Sequence, residues 1–402
     1  MPPPHRNDDA ALARRIIEFG TTVDDLGPRQ FGVAARATGR RALGLDWPTK
    51  YTPKAAPLAD EPDPSDPLPP ADVVDITWTR DEMQALADVL TPGVNPSKRW
   101  YRYDRKFEEY LPDIREGAPA RMTRRLGSYH PALVGKRTVL CFKSELHMNQ
   151  DGVEHEDGKA TLPVADLFHQ IIEECAPSLV ITVGTAGGTF ADHELGDVVV
   201  TRAAKFRVTK EFRNQPYAGK LYKSSFRVPK ARLADALRLM KVHKKELEEP
   251  DFLPPTKLYL GPDGEPPAAI PGVKNDPDIK IDGRDFKAFL PMLTTDFFEF
   301  GTSANRLDQF GCGVEMGDAV LGLVAKELGA SAPDWLVIRN VSDPVINGDL
   351  PLTPHNMQTH WAVWFYEEYG YWTSVNSAIV TWAMIAKLRP PSRLTRWRTC
   401  RP

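Results

Sequence analysis

The chain has 402 residues, of which 42% are hydrophobic, and its formal net charge is −3. This length suits one large domain with appendages, and the charge excludes the overall basic field typical of nucleic-acid or anionic-membrane binding. The four cysteines form no CxxC pair, which argues against a zinc site or disulfide framework and fits a reducing compartment. The start of the chain lacks the apolar core of a secretory signal, and no apolar run is long enough to predict a transmembrane helix. We therefore expect a cytoplasmic protein with no membrane partner.

The first part of the chain, residues 1–72, differs in composition from the rest. Residues 8–19 have the spacing of a short amphipathic helix, residues 29–41 are basic, and residues 48–72 are rich in proline and aspartate. Proline at that density removes backbone donors and blocks helix formation. We interpret residues 1–72 as an irregular extension and linker, either disordered or lying over a surface.

From Val73 onward, strand patterns alternate with helix patterns. Apolar runs predict buried strands, and 3.6-residue periodicity predicts helices; the strand segments are VVDITW, RTVLCF, SLVITVG, GDVVVTRAAKFR and DWLVIRNVSD, and the helix segments are RDEMQALADVL, VADLFHQIIEEC, VEMGDAVLGLVAKELG and roughly 354–387. This alternation predicts an α/β fold, a three-layer sandwich with a central mixed sheet flanked by helices. We assign residues 73–390 to one domain with inserts at 92–136 and 240–285, followed by a tail at 391–402.

Residues suited to chemistry follow four of the predicted strands, where ligands of α/β sheets bind. Glu82 lies in the first turn of a helix, and Thr185 lies in a glycine-rich turn whose backbone N–H groups would approach a ligand closely. Phe297 and Phe298 form an aromatic pair after a strand predicted in FLPMLTTDFFEF, which ends near Asp296, and Asp343 ends an apolar strand. Each also has a structural explanation, as a helix terminus, tight turn, core packing or turn cap. These patterns alone predict a small-molecule α/β enzyme and leave its reaction open.

The segment CAPSLVITVGTAGGTFADHELGDVVVTRAAKF resembles the signature of the nucleoside phosphorylase/nucleosidase superfamily. It is most similar to methylthioadenosine/adenosylhomocysteine nucleosidase and more weakly to AMP nucleosidase. Further blocks of that family are matched in order by ITWTRDEMQAL, TTDFFEF, VEMGDAVLGLVAKELG and VIRNVSDPV. The resemblance covers 73–91 and 137–385. It implies a nucleoside phosphorylase-like fold, cleavage of a purine N-glycosidic bond without metal or organic cofactor, and a homo-oligomer, either a dimer or a hexamer.

The resemblance implies a role for each matching residue. Asp343 matches the acid that protonates purine N7, and Ser342 matches its hydrogen-bonding neighbour. Glu82 matches the carboxylate that orients or deprotonates the attacking water, and Thr185 matches a serine near that nucleophile. The positions that match contacts to the base and the ribose are Ala186, Gly187, Phe298 and Met316.

Two positions depart from the family pattern. Thr182 stands where the phosphorylases carry an arginine that holds phosphate. This favours water over phosphate as the nucleophile, with phosphorolysis to a sugar 1-phosphate as the alternative. Gly317 stands where the family carries a glutamate that grips the ribose hydroxyls. Either Asp318 or Glu315 replaces it, or the sugar is recognised differently, or the chain binds nucleosides or nucleotides without catalysis.

The insert at 92–136 is rich in arginine and lysine, and Lys143 follows at the end of the next strand. Cationic side chains there would suit a 5′-phosphate, with Arg102, Arg105 and Lys143 as candidates. The alternative is a set of solvated surface charges or a subunit contact. The expected partner is a small purine nucleoside or nucleotide rather than nucleic acid.

Overall fold

The computed structural model describes residues 43–388, except for 230–231, 245–275, 282–284, 286–289, 298, 300–305, 344 and 346–356. The helix predicted at 8–19, Phe298 and the tail at 391–402 therefore lie outside the described residues. No helix in the described part of the chain is long and apolar enough to cross a membrane.

The strands belong to one mixed sheet. Their bounds are β1 Pro53–Ala55, β2 Val73–Thr77, β3 Tyr101–Tyr103, β4 Gly127–Val134, β5 Arg137–Ser144, β6 Leu179–Gly187, β7 Val198–Thr201, β8 Ala203–Phe206, β9 Leu221–Lys223, β10 Ile279–Ile281, β11 Met292–Thr294, β12 Gly313–Glu315 and β13 Asp334–Asp343.

Five long helices and four one-turn helices accompany the sheet within the described ranges. Their bounds are α1 Arg80–Leu90, α2 Pro96–Arg99, α3 Phe107–Tyr110, α4 Pro119–Thr123, α5 Met148–Asp151, α6 Pro163–Cys175, α7 Leu233–Lys244, α8 Asp318–Leu328 and α9 Met357–Ile385.

The sheet branches at its central strand, β6. One path runs β1-β4-β5-β2-β6 and continues through β12, β11, β8 and β9, while β13 pairs with β6 and leads to β7 and β10. Strands β5, β2, β6 and β13 are mutually parallel. Their carboxyl ends therefore meet at one edge of the sheet, where α/β folds bind their ligands.

Helices cover both faces of the sheet. On one face, apolar residues of β2, β5, β6 and β13 pack against α1, α7 and α9, and alternate residues of the same strands pack against α6 and α8 on the other face. This follows from the period of two along a strand, which sends successive side chains to opposite sides. The predicted three-layer α/β sandwich with a mixed central sheet is confirmed.

The structure differs from the predicted elements in three places. Residues 127–134 form β4, a strand of the main sheet that lies inside the predicted insert and pairs antiparallel with β5. The segment GDVVVTRAAKFR forms two strands rather than one, because the chain leaves one branch of the sheet at Arg202: β7 pairs with β13, whereas β8 pairs with β11. Within the predicted linker, residues 53–55 form β1 at the edge of the sheet.

Candidate active site

Glu82 connects the first helix to the central strand. It is buried, and both of its carboxylate oxygens accept hydrogen bonds. Oε2 accepts from the Thr77 hydroxyl at 3.0 Å and from the backbone N–H groups of Trp78 at 3.0 Å and Thr79 at 2.9 Å. Oε1 accepts from the backbone N–H and the hydroxyl of Thr185, at 2.7 and 2.8 Å. The same side chain therefore caps α1 and reaches the glycine-rich turn.

The local sequence fixes this position of Glu82. Thr79 is the N-cap of α1, and Glu82 is the third helical residue, so the two form a reciprocal capping box. On the facing strand, a Cβ at Gly184 would lie 2.3 Å from Oε1 of Glu82. Only glycine leaves room for the carboxylate to approach β6 so closely. The helix-terminus and active-site explanations of Glu82 are thus compatible.

A second buried carboxylate cluster surrounds Arg339. The guanidinium forms a bidentate pair with Asp318, with Nε 3.0 Å from Oδ2, and its Nη2 lies 3.3 Å from Oε2 of Glu315. Its Nη1 lies 3.9 Å from Oε1 of Glu82. All four side chains are almost completely buried. Because removing charges from water is costly, each carboxylate depends on the arginine for compensation.

Glu315 is fixed by the start of α8. Its carboxylate accepts hydrogen bonds from the Thr294 hydroxyl and from the backbone N–H groups of Gly317 and Asp318. Burial and the nearby carboxylate of Asp318 together raise the pKa of Glu315 to about 8, although Arg339 opposes the shift. Neither Glu315 nor Asp318 has an oxygen outside these intrachain contacts.

The indole of Trp78 forms a wall of the site against Arg339 and Gly317. The centre of the Arg339 guanidinium lies 4.8 Å from the ring, and the indole N–H donates to the carbonyl of Leu146 at 3.1 Å. A Cβ at Gly317 would lie 3.1 Å from Cζ2 of Trp78. The space beside the backbone of residue 317 is therefore occupied by the indole.

Asp343 and Ser342 end β13 beside the glycine-rich turn. Asp343 is in register with Gly187 after a bulge in the strand pairing, and the Gly188 N–H donates to its carbonyl at 2.8 Å. The Ser342 hydroxyl donates to Oδ1 of Asp343 at 2.9 Å. Asp343 is half-buried, whereas Ser342 is buried. Ser342 and Asp343 therefore lie beside the end of β6, the strand that carries Thr185.

Most of the other predicted residues lie on β6 or between β12 and α8. Ala186 and Gly187 continue β6 beyond Thr185, and Met316 lies between β12 and α8. Phe298 falls outside the described residues. Thr182 is completely buried in the middle of β6, in register with Val337 of β13.

The cationic candidates form two groups. Arg102 is bound to Asp104 at 3.0 Å and Arg105 to Glu174 at 3.1 Å, and both arginines are more than one-third exposed. Lys143, in contrast, is completely buried and pairs with Glu145. It is in register with Thr77, the residue that donates to Glu82. Of these three cations, Lys143 is the one that the sheet places beside Glu82.

Two residues of the site, Arg339 and Trp78, were not predicted from the sequence. Arg339 lies in the VIRNVSDPV block, four residues before Asp343 on the same strand, and an arginine within an apolar strand is a signal of a buried ion pair. Trp78 follows β2 directly, but its contact with Gly317 joins segments that are far apart in the chain. No local pattern predicts that contact.

Comparisons with known proteins give a resemblance in structure alone. No protein-family model matches the sequence, and none of the curated proteins is significantly similar to it. The chain is similar to a solved structure of the 5′-methylthioadenosine/S-adenosylhomocysteine nucleosidase of Helicobacter pylori, with 11% identity and a TM-score of 0.43. The match covers 80% of this chain and 100% of that one. The Neisseria meningitidis enzyme is 14% identical with TM-score 0.41 and coverages of 79% and 99%. The futalosine hydrolase of Helicobacter pylori is 12% identical with TM-score 0.43 and coverages of 79% and 97%.

Proposed function

We propose that this chain hydrolyses the N-glycosidic bond of a purine nucleoside or nucleotide and releases the free base. The observation that carries the proposal is the placement of two carboxyl groups at one end of β6. Glu82 is bonded to Thr185, and Asp343 is in register with Gly187, two residues further along the same strand. A bond held between them would have an acid on one side and a water-orienting carboxylate on the other.

The chemistry assigns a separate task to each carboxyl group. A purine departs readily only when its ring accepts a proton, and Asp343 is the acid that we assign to N7. The Ser342 hydroxyl fixes the orientation of the Asp343 carboxyl. Glu82 orients the water, and its negative charge favours the positive charge that develops on the sugar. Ala186 and Gly187 would line the base, Phe298 would stack on it, and Met316 would lie under the ribose.

Water is the nucleophile that the surroundings of Glu82 favour. The guanidinium of Arg339 lies 3.9 Å from Glu82, but Asp318 and Glu315 already occupy it. Thr182 provides no positive charge in the middle of β6. A phosphate nucleophile would therefore have to be held by Lys143 and Arg125, which already pair with Glu145, and this makes phosphorolysis the less favoured reaction.

A second candidate function, nucleoside or nucleotide binding without catalysis, is favoured by the hydrogen bonding of Glu82. The carboxylate accepts five hydrogen bonds from Thr77, Trp78, Thr79 and Thr185. A carboxylate has about four lone-pair sites. Unless one donor is released, Glu82 has no lone pair to receive the proton of a water molecule.

Release of free base measured by chromatography tests the proposal. The purified protein would be incubated with purine nucleosides and nucleotides, with and without inorganic phosphate. We expect release without phosphate, reduced by about 100-fold or more in Asp343→Asn. Asp334→Asn is the matched control, because Asp334 lies at the opposite, exposed end of the same strand. Release that requires phosphate would establish phosphorolysis, and tight binding without release would establish the second candidate.

A further inference from the structure

The end of β5 and the residues that follow it carry a buried polar cluster beside Glu82. Lys143 of β5 is in register with Thr77 of β2, and the Thr77 hydroxyl donates to Glu82. Burial lowers the pKa of Lys143, and the negative charges of Glu145 and Glu82 oppose that shift. The ammonium group of Lys143 is therefore electrostatically coupled to the candidate catalytic carboxylate.

Two cations of this cluster share one carboxylate. Lys143 Nζ donates to Oε2 of Glu145, and Arg125 Nη2 donates to Oε1 at 2.5 Å. Lys143 and Glu145 are completely buried, and the side chain of Arg125 is 13% exposed. The ion pairs hold the ammonium and the guanidinium next to each other at the carboxyl end of the sheet.

The same loop contains two buried polar atoms that have no hydrogen-bond partner among the described residues, Nε2 of His147 and Oδ1 of Asp151. His147 is 7% exposed and Asp151 is completely buried. Buried polar atoms in folded proteins are nearly always bonded, so atoms of this kind indicate a missing ligand or water. The other oxygen of Asp151 accepts from the His147 backbone N–H.

The cluster is connected to the wall of the candidate site. The Trp78 indole donates to the carbonyl of Leu146, the residue before His147.

Burial raises the pKa of Asp151 to about 8, so its carboxyl group carries a proton at neutral pH and can donate a hydrogen bond. Burial lowers the pKa of His147 to about 3, which leaves a neutral imidazole.

We propose that Lys143, Arg125, His147 and Asp151 bind an oxyanion substituent on the sugar of the substrate, a phosphate or a carboxylate. An oxyanion accepts hydrogen bonds from several donors at once, and this cluster offers an ammonium on β5, a guanidinium before β4, and an imidazole and a carboxylic acid beyond β5. The inference rests on the proposed function, because it assumes that the bond to be cleaved lies beside Glu82.

Arg102 and Arg105, the other two cationic candidates, are excluded from this cluster because of their contacts. Arg102 also donates to the backbone carbonyls of Thr123 and Arg124, and Arg105 also donates to the carbonyl of Ser65. These contacts use both guanidinium groups to hold the chain together near the surface. We therefore place the oxyanion at the loop after β5 rather than at Arg102 and Arg105.

Binding of ribose 5-phosphate tests the inference without requiring catalysis. Calorimetry on the full chain should detect binding of ribose 5-phosphate and much weaker binding of ribose. His147→Leu should weaken ribose 5-phosphate binding at least 10-fold while leaving the melting temperature unchanged or raised, because it removes a buried atom that lacks a partner. Arg102→Gln is the control and should leave binding unchanged. Equal binding of ribose and ribose 5-phosphate, or binding that His147→Leu does not affect, would overturn the inference.

Base release provides the second measurement. We expect kcat/KM for AMP to exceed that for adenosine at least 10-fold, and His147→Leu to lower the value for AMP alone. Adenosine 5′-carboxylate in place of AMP distinguishes a carboxylate site from a phosphate site. Cleavage of adenosine with no preference for either anionic substrate would overturn the oxyanion site and leave the proposed function intact. Binding of ribose 5-phosphate that depends on His147, without base release from any substrate, would support the site and contradict the proposed function.

Discussion

Trp78 and Gly317 depend on each other: a Cβ at residue 317 would stand 3.1 Å from Cζ2 of the indole. This distance is tighter than ordinary van der Waals contact, so the glycine leaves room for a tryptophan that is 6% exposed. The family that the sequence resembles carries a glutamate at the position of Gly317. Here the indole fills the adjoining space, and Asp318 and Glu315 are bound to Arg339 instead of being open to a sugar.

We predict that Gly317→Ala destabilises the protein by about 1–3 kcal/mol, because overpacking forces the indole to move. The φ of Gly317 is −163°, outside the left-handed region that favours glycine, so alanine introduces no left-handed strain. Trp78→Phe removes the contacting edge of the ring and should reduce the cost of alanine. Urea unfolding of the two single variants and the double variant measures this coupling, and additive effects would show that the two residues are independent.

Glu82→Gln should lower the rate of base release by about 100-fold or more, since the amide cannot act as a base. The free energy of unfolding should also fall, because the amide nitrogen of glutamine cannot accept the hydrogen bonds that one of the two carboxylate oxygens receives. Asp81→Asn, in the same helical turn, is the control for changes of charge. Steady-state kinetics together with thermal unfolding separates the two effects, and full activity in Glu82→Gln would place the water elsewhere.

Arg339→Met should destabilise the protein by about 3–5 kcal/mol at neutral pH, because it leaves buried carboxylates without their cation. Burial holds the folded-state pKa of Glu315 above its unfolded value, and Arg339 no longer opposes that shift in this variant. The variant is then most stable below the unfolded pKa of Glu315 and loses stability as the pH rises through the folded one.

Denaturant unfolding at pH 5 and pH 8 checks the Arg339→Met prediction, with a smaller difference from the wild type expected at pH 5. Lys244→Met is the control, because Lys244 pairs with the exposed Asp276. Exposed pairs of this kind contribute about 0–1 kcal/mol. A loss in Arg339→Met that does not vary with pH would contradict the electrostatic explanation.

Asp75 is a buried carboxyl group in the middle of β2, and neither of its oxygens has a hydrogen-bond partner among the residues that the structure describes. Burial raises its pKa well above the ordinary value of 3.8. The folded state therefore holds a proton that the unfolded chain releases above that value, and stability falls as the pH rises from about 4.

Asp75→Val should raise the free energy of unfolding at pH 8 by about 1–3 kcal/mol, since it removes a buried polar group without a partner. The gain should shrink at pH values below 3.8, where the unfolded chain also carries the proton. Unfolding midpoints at the two pH values measure this, with the exposed Asp60→Asn as the control. A variant that is less stable than the wild type at pH 8 would show that Asp75 has a bonding partner.

Local signals predicted several elements closely. The segment RDEMQALADVL forms α1 over Arg80–Leu90, and DWLVIRNVSD forms β13 over Asp334–Asp343. Capping residues mark the start of the helix, and a long apolar run marks the strand. In contrast, β4 contains His130 and Pro131 and has no clear alternation, so its identity as a strand depends on pairing with β5.

The sequence by itself determined the class of fold and the residues that end its parallel strands, because helix and strand periods and capping are properties of neighbouring residues. Tertiary structure decided which of those residues meet. Thr185 donates to Glu82 across 103 positions of the chain, and Arg339 joins Asp318 to the same centre. These contacts depend on the order and register of β2, β6 and β13, which no local pattern specifies. The position of Trp78 against Gly317 was settled in the same way, by packing between segments that are distant in sequence.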